Sequence, residues 1–225
     1  MAKKQEPKHV ELENVEHALT ASELFIEKHQ KQILIGVATV VLVVLAILSF
    51  RNFYMEPREV NAENEMYKAQ ALFATDSFRV ALEGNGNQIM GFKEITSEFS
   101  MTPTANLAAA YAGICSYKLG KYEDAIKFLS QYDGNDTYIK TTVVGLTGDS
   151  YVELGETTKA ISYFDKAAEM DNAILSPVYL KKAGLVYESL NQPEKAEKKY
   201  TAIKEKYPKS SEAADIDKYL ARVQK

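Results

Sequence analysis

The chain has 225 residues, of which 46% are hydrophobic and 26% charged, with a formal net charge of −4. This acidic balance lacks the electrostatic footprint of a nucleic-acid-binding protein, so we expect no nucleic-acid partner. All three histidines lie within residues 1–32, and the only cysteine is Cys115. The rest of the chain therefore has no histidine for acid–base catalysis, nucleophile activation or metal binding. We expect a protein that is not an enzyme and has no catalytic residue, cofactor or metal; its many carboxylates are typical of charged helix surfaces.

Residues 1–32 form a charged tail with five lysines and six glutamates. A helical projection of the tail collects apolar residues on one side, namely Leu12, Val15, Leu19 and Ile26. The spacing of Thr20 and Glu23 matches a capping box, which predicts a helix that starts near Ala21. The tail is either a solvated juxtamembrane segment or a partly amphipathic one that touches lipid headgroups. Its near-balanced charge argues against strong attraction to anionic lipid.

Residues 33–50 are apolar and contain no charged side chain. A helix of 18 residues rises about 27 Å, close to the hydrocarbon thickness of a bilayer. A buried core helix or a cleaved signal peptide would be the alternatives. The segment ends in Ser49-Phe50-Arg51-Asn52, which lacks the small-residue pattern of a cleavage site. We therefore predict an uncleaved transmembrane helix that anchors the chain in a lipid bilayer.

The charges that flank this segment do not decide its orientation. Lys28 and Lys31 precede it, while Arg51, Arg58 and Lys68 follow it. Because the positive-inside rule depends on an excess of Lys and Arg on one side, these flanks are uninformative. The lysines farther upstream favour a cytoplasmic N-terminus only weakly.

Helices are predicted for the whole remainder of the chain, and no segment alternates as a strand would. Pro57 should end or kink the helix that leaves the bilayer. A helix is predicted over 58–82, and the Gly84–Asn87 run predicts a loop. Further helices are predicted over 88–100, 104–119, 122–132, 137–154, 157–170, 176–190, 193–206 and 210–223.

Three segments of this helical region repeat one pattern at intervals of 35 and 36 residues. Each contains a small residue, then a leucine with Gly or Asn, then an alanine, then a large apolar residue. The small residues are Gly113, Gly148 and Gly184; the turns are Leu119-Gly120, Leu154-Gly155 and Leu190-Asn191; the alanines are Ala125, Ala160 and Ala196; and the large residues are Leu129, Phe164 and Tyr200. Such a period is typical of stacked helix hairpins.

These segments resemble the tetratricopeptide repeat family, whose unit pairs a helix A with a helix B. In that family the small residue lets the two helices approach closely, and the turn glycine ends helix A in a left-handed conformation. The resemblance covers residues 103–208 as three repeats, with 51–102 as a linker helix and degenerate leading repeat and 209–225 as a capping helix. It implies an all-α chain: one N-terminal transmembrane helix, then a helical solenoid closed by a C-terminal capping helix.

The overall layout is similar to the YfgM-like family of ancillary SecYEG translocon subunits. The segments that carry this second resemblance are Val15–Leu19, Phe25–His29 and the exit Phe50-Arg-Asn-Phe-Tyr54. It implies a single-pass protein of the bacterial inner (cytoplasmic) membrane, with a cytoplasmic N-terminus and periplasmic repeats. The implied partners are translocon subunits, a periplasmic chaperone or foldase, or unfolded secreted chains.

The tetratricopeptide resemblance also implies where partners bind, because helix A of each repeat lines the concave face of such a solenoid. Carrying the groove positions onto this chain gives Leu107, Ala110, Ile114, Tyr117 and Lys118, then Thr142, Gly145, Asp149, Val152 and Glu153, then Val178, Lys181, Leu185, Glu188 and Ser189. The candidate protein-binding residues are Ile114, Tyr117, Lys118, Thr142, Asp149, Val152, Lys181, Leu185 and Glu188. Ala110 and Ile114 replace the polar residues with which some relatives grip a C-terminal carboxylate. The alternative for each candidate is packing against a neighbouring helix of the same chain.

Three functional hypotheses follow from the sequence. The first is a membrane-anchored scaffold that faces the periplasm and assists the translocon or a chaperone network. The second is a structural adaptor in another envelope complex, such as outer-membrane assembly or a secretion machine. The third places the repeats in the cytoplasm as a signalling adaptor.

Overall fold

The structure is a computed structural model that describes the backbone of residues 8–86 and 88–224 and the side chains from residue 25 onward. Helix accounts for 79% of the chain, and no strand occurs among the described residues. The prediction of an all-α fold is therefore confirmed. The chain divides into two compact units, one up to Glu56 and the other from Pro57 onward.

The first unit consists of one long helix and a short turn. Helix α1 spans Lys8–Phe50, and a π-helical turn follows over Arg51–Met55. The predicted start near Ala21 is wrong, because the helical backbone already includes Thr20 and begins at Lys8. Thr20 is therefore an interior position of α1 rather than its N-cap, and the continuous i→i+4 ladder takes the place of the capping box.

The apolar part of α1 has the properties that membrane insertion requires. Its most apolar window has a mean hydropathy of 3.0 and none of it is buried in the structure. Leu34, Leu42 and Ile47 are each at least 60% exposed. A core helix would bury such side chains, so α1 has the length and composition to cross a membrane.

The chain around Pro57 is helical rather than broken. The Glu56 N–H donates to the carbonyl of Arg51, and α2 begins at Glu56. Proline lacks an N–H group and its ring collides with the carbonyl of the preceding turn. A wider π-helical turn placed just before the proline is a common way to relieve such a collision.

The second unit contains ten α-helices among the described residues. They are α2 (Glu56–Ala74), α3 (Phe78–Glu83), α4 (Phe92–Glu98), α5 (Pro103–Lys118), α6 (Tyr122–Leu129), α7 (Thr137–Glu153), α8 (Thr157–Glu169), α9 (Ser176–Ser189), α10 (Pro193–Lys206) and α11 (Ile216–Val223), with a 3₁₀ turn over Glu212–Asp215. Helices α5, α7 and α9 occupy the helix A positions of the repeats, and α6, α8 and α10 the helix B positions.

The predicted single helix over 58–82 is wrong, because it is two helices. Asp76 has a φ of 57°, in the left-handed region, and the Ser77 N–H bonds back to the carbonyl of Leu72 at 3.0 Å. The Thr75 hydroxyl also donates to the Leu72 carbonyl. Short polar side chains compete for the backbone in this way, which ends α2 and starts α3.

Three other predicted helices are shorter than expected. Helix α4 begins at Phe92 instead of residue 88, α6 ends at Leu129 instead of 132, and the last α-helix begins at Ile216 instead of 210. After α6 the N–H of Tyr132 bonds to the Leu129 carbonyl, which is an i→i−3 bond. Such bonds tighten the last turn before the polar loop that follows. Residues 84–86 form a loop as predicted, and Asn87, the last residue of the predicted loop, lies outside the described residues.

The apolar core is a series of clusters rather than one centre. The first joins α2, α3 and α4 to α5, the second lies among α5, α6 and α7, the third among α7, α8 and α9, and the last among α9, α10 and α11. Each helix pair buries its apolar side against the next pair. This arrangement is that of a repeat solenoid.

Candidate protein-binding face

The contact between helices A and B is as close as the sequence predicted. A Cβ atom added to Gly113 would lie 2.5 Å from Leu129, and one added to Gly148 would lie 2.7 Å from the ring of Phe164. At Gly184 the same atom would collide with the ring of Tyr200. The large residue of helix B therefore fills the space that the glycine leaves. These three contacts, which we call the A–B seams, fix the face of each helix A that remains outside the core.

The turns between helices A and B also follow the prediction. Gly120 and Gly155 have φ values of 72° and 75°, and Asn191 has 54°. Asparagine tolerates the left-handed region better than most residues, so it substitutes for the third glycine.

The groove positions of α5, α7 and α9 define what we call the A-helix face. On α5, Ile114 is half-buried and Lys118 is exposed. The ring of Tyr117 meets that of Tyr122, at the start of α6, edge to face with centroids 5.6 Å apart. Burial raises the pKa of Tyr117, and the carboxylates of Asp149 and Glu153 raise it further. The second-repeat carboxylates therefore act on the end of the first repeat.

Asp149 on α7 is held by a lysine of the next repeat. The Nζ atom of Lys182 lies 2.7 and 2.6 Å from the two carboxylate oxygens of Asp149. The same ammonium lies 5.5 Å from the centroid of the Tyr179 ring. Burial raises the pKa of Asp149 even though Lys182 opposes this shift. This pair joins the second and third repeats and occupies Asp149, one of the candidate contacts.

Thr142, also on α7, has its hydroxyl satisfied within its own helix. Its Oγ1 donates to the carbonyl of Tyr138 at 2.9 Å. The hydroxyl acts as a helix-surface group that remains able to accept a further bond.

The apolar candidates of the second and third repeats are open to solvent. Val152 is 38% exposed and Leu185 is 42% exposed. Both belong to helix A, and neither is part of the buried clusters. They supply apolar area that a partner's side chains could cover.

The charged candidates on α9 are bonded to the C-terminal segment. Lys181 lies 2.8 Å from a carboxylate oxygen of Asp215, and Arg222 donates to both oxygens of Glu188 at 2.6 and 2.7 Å. The hydroxyl of Tyr200 also donates to Glu188. Bonding to Arg222 first, and then to Tyr200, lowers the pKa of Glu188, while burial opposes the shift. For Lys181 and Glu188 the structure gives partners within the chain, as the alternative reading of the sequence allowed.

Two other groove positions are likewise part of the interior. Ala110 is 1% exposed. Gly145 is buried because the ring of Tyr179 lies where its side chain would be. The available part of the A-helix face is therefore centred on Ile114, Tyr117, Lys118, Thr142, Val152, Glu153 and Leu185.

Sequence reasoning missed the residues that hold this face together. They are Tyr122, Lys182, Asp215 and Arg222. Lys182 follows directly after a groove position, and its partner Asp149 lies 33 residues earlier. Asp215 and Arg222 lie 34 residues after Lys181 and Glu188, a separation similar to that of the Lys182–Asp149 pair.

Comparison with known proteins supports the repeat assignment. Two models of the tetratricopeptide repeat match residues 145–174 and 180–210, within the second and third repeats. No curated protein sequence matches the chain. Together with the serial packing of α5 to α11, these matches define the class: an all-α tetratricopeptide solenoid, preceded by one helix apolar enough to span a membrane. Tetratricopeptide repeats are scaffolds for protein–protein interaction.

One solved structure supports this fold. A tetratricopeptide repeat protein from Parabacteroides merdae is 20% identical, with a TM-score of 0.58. The match covers 72% of this chain and 60% of that one, so this chain spans less than two thirds of that protein's length. The match to BtubC from P. vanneervenii is weaker: it is 15% identical over 76% of this chain and 65% of that one, with a TM-score of 0.43.

Proposed function

We propose that this protein is a membrane-anchored scaffold, without enzymatic activity, that binds segments of other proteins on the open part of its A-helix face. The observation that supports this most directly is the exposure of Val152 and Leu185 on consecutive helices A. The ionic groups around them, Asp149, Lys181 and Glu188, are paired within the chain. The surface left for a partner therefore combines the apolar side chains of Ile114, Val152 and Leu185 with few charged groups, which suits a partly apolar segment such as an unfolded chain or a chaperone helix.

We further propose that the anchor lies in the bacterial inner membrane and that the repeats face the periplasm. There the protein would act as an ancillary factor of the translocon or of a chaperone network. Support comes from the layout of a charged tail, one apolar helix and tetratricopeptide repeats, which is similar to that of the YfgM-like family. The second candidate remains a structural adaptor in outer-membrane assembly or a secretion machine, whose partners would be folded proteins.

Site-specific photo-crosslinking in living cells tests the binding face. A photoreactive phenylalanine analogue at Leu185 should crosslink to a partner protein. The matched control is the same analogue at Ile174, which is 64% exposed but lies in the loop before α9. Crosslinks of equal yield from both positions, or from Ile174 alone, would show that the A-helix face is not the binding surface.

The identity and folding state of the crosslinked partner separate the two candidate functions. Translocon subunits, a periplasmic foldase or newly secreted chains would support the first. Folded envelope components, recovered equally when secretion is blocked, would support the second.

A cysteine probe tests the orientation. Ser211→Cys introduces a thiol in an exposed segment of the repeat domain, whereas Cys115 is fully buried. A membrane-impermeant maleimide should label the variant in cells whose outer membrane has been permeabilised but whose inner membrane is intact. Labelling only after the inner membrane is broken would place the repeats in the cytoplasm.

A further inference from the structure

The exposed side of α2 carries a row of uncharged residues. They recur at alternating intervals of four and three residues, and we call them the α2 stripe: Val60, Asn64, Tyr67, Ala71 and Ala74. All of them are exposed, and the two largest, Val60 and Tyr67, are 51% and 76% exposed. On the opposite side of α2, Ala62, Met66 and Ala69 are buried. The core therefore fixes α2 through one side and leaves the stripe outside.

The spacing of the stripe is that of a coiled-coil seam, in which residues at heptad positions a and d face a second helix. In this assignment Asn64 and Ala71 occupy position a, and Val60, Tyr67 and Ala74 occupy position d. The exposed side of a helix in a globular protein usually carries charged residues. An exposed, uncharged row with heptad spacing therefore indicates that another helix covers it.

The last helix of the same unit shows the usual arrangement. Helix α11 exposes Asp217, Lys218 and Arg222. Charges on the outer side of a terminal element keep a repeat array soluble and prevent further stacking. The α2 stripe lacks such charges, which distinguishes the first helix of the unit from the last.

Two residues of opposite charge border the stripe, one on each side. Glu63 occupies position g, is exposed and has no ion pair within the described part of the chain, and Lys68 occupies position e. In a parallel coiled coil, position g faces position e of the next heptad on the other chain, five residues later. Lys68 follows Glu63 by five residues, so two parallel copies of α2 would form this pair twice. In an antiparallel pair, g faces g and e faces e, and the opposite charges would not meet.

The partner that Lys68 has within the chain leaves this pairing possible. Its Nζ atom lies 2.7 Å from a carboxylate oxygen of Glu65 on the same helix, and the lysine side chain is 44% exposed. Because an exposed pair of this kind contributes little to stability, Lys68 can exchange Glu65 for a carboxylate of another chain at small cost. The carboxamide of Asn64 makes no hydrogen bond within the described residues. An asparagine at one a position can pair with its own copy, which fixes the register of two parallel helices.

We propose that the α2 stripe binds the same stripe of a second copy of this chain and forms a short parallel coiled coil of two helices. The stripe spans about two heptads, which alone gives a weak contact. The inference therefore rests on the proposed membrane anchor, since two copies held in one bilayer meet at a much higher effective concentration than in solution. No residue of the stripe belongs to the A-helix face, so the dimer presents two such faces to partners.

Disulfide crosslinking of the full-length protein in native membranes tests the proposal. Asn64→Cys should form a covalent dimer under mild oxidation, because position a of one copy faces position a of the other. The matched control is Thr158→Cys, an exposed position of α8, and the wild type, whose Cys115 is buried, is the blank. We expect about fivefold more dimer from Asn64→Cys than from Thr158→Cys. Equal yields from the two variants would overturn the proposal.

Charge reversal assigns the contact to Glu63 and Lys68. With Asn64→Cys present, Glu63→Lys alone or Lys68→Glu alone should lower the dimer yield about threefold, because like charges then face each other in both pairs. When the two reversed chains are expressed together with different tags, both pairs again join opposite charges. The mixed dimer should therefore return to the yield of the unreversed chain. Mixed dimers no more frequent than random pairing would overturn the parallel arrangement.

Two further measurements identify the occupant and separate this inference from the proposed function. A photoreactive side chain at Tyr67 should give a product at twice the mass of the chain; a product with another protein or with lipid would overturn the second copy as the occupant. Alkaline extraction of the same membranes tests the anchor. A chain that stays in the membrane but gives no dimer would overturn this inference and leave the scaffold function standing. A chain that alkali releases and that gives no dimer would overturn the anchor together with the inference.

Discussion

The second and third repeats use their groove positions differently. On α9, Lys181 and Glu188 are tied to Asp215 and Arg222 of the C-terminal segment. On α7, Val152 and Glu153 remain exposed. The difference teaches that groove positions serve two purposes: the charged ones of the last repeat fasten the cap, whereas Leu185 of that repeat and Val152 of the repeat before it stay exposed.

The A–B seam of the third repeat, at Gly184, gives the largest predicted effect on stability. Gly184→Val should destabilise the repeat domain by about 2–3 kcal/mol, because its side chain would collide with Tyr200, which also bonds to Glu188. Thermal unfolding of the full-length protein in detergent, followed by circular dichroism, measures the loss. Ala221→Val, on the exposed side of α11, is the control and should change little. Equal stability of the two variants would show that α9 and α10 are not closely packed.

The ion pair between Lys182 and Asp149, which joins the second and third repeats, gives the next largest effect on stability. Lys182→Met should cost about 2 kcal/mol at pH 7, since Asp149 would stay buried without its counter-charge. Asp149→Asn should cost less, because Lys182 is partly exposed and can reach solvent. Urea unfolding measures both variants.

The pH dependence of the Lys182→Met variant gives an independent check. Burial raises the pKa of Asp149 in the folded state, and Lys182 opposes this shift, so the pKa should be higher still in the variant. The folded variant therefore takes up a proton on Asp149 at a higher pH than the folded wild type does, and it gains more stability from that proton. Acidification from pH 7 to 5 should therefore shrink the difference between variant and wild type. A difference that grows on acidification would mean that Asp149 is not buried as described.

The contact that holds the C-terminal helix α11 through Arg222 should contribute less to stability. Arg222→Leu should cost only about 0.5–1 kcal/mol, because the arginine is 53% exposed and water screens the pair. Hydrogen exchange should nevertheless speed up specifically in α11. Lys204→Leu, which breaks the more exposed pair with Asp217, is the control and should leave exchange in α11 almost unchanged. Faster exchange throughout the repeats in the Arg222 variant would contradict a local role.

The ion pair between Glu188 and Arg222 should also weaken in acid. The pKa of Glu188 is lowered below its ordinary value of 4.5, so its stabilising contribution is present above that pH and is lost as the pH falls through the lowered value. Exchange in α11 should therefore rise in wild type below about pH 4.5, and less so in Arg222→Leu.

The smallest expected effect is on the single thiol. Burial raises the pKa of Cys115 to about 12, so almost no thiolate exists at neutral pH. Folded protein should show no measurable maleimide labelling at pH 7.5, and labelling should appear in urea. Rapid labelling of folded protein would show that α5 opens and that the first repeat is less closed than the others.

Sequence predicted the parts of this molecule that depend on local or repeated patterns. The seams at Gly113, Gly148 and Gly184 and the left-handed turns at Gly120, Gly155 and Asn191 follow from steric rules that act at each repeat alike. The break at Asp76 was missed because a short polar residue competes with the helix only when the local backbone permits it. The sequence left the roles of Lys181 and Glu188 open because their partners, Asp215 and Arg222, lie in the C-terminal segment, which lacks the repeat motif.

The first turn of α2 has a consequence for how the repeat domain withstands force. Arg58 donates to the carbonyl of Glu98 at the end of α4, and Glu59 accepts from the N–H and hydroxyl of Thr104 at the start of α5. Both residues follow Pro57 directly, so tension applied along the chain from α1 reaches them before it reaches the rest of α2. The load is then shared by α2, α4 and α5 through these bonds. Force applied to the chain before Pro57 therefore has to break contacts to α4 and α5 before it can unfold α2.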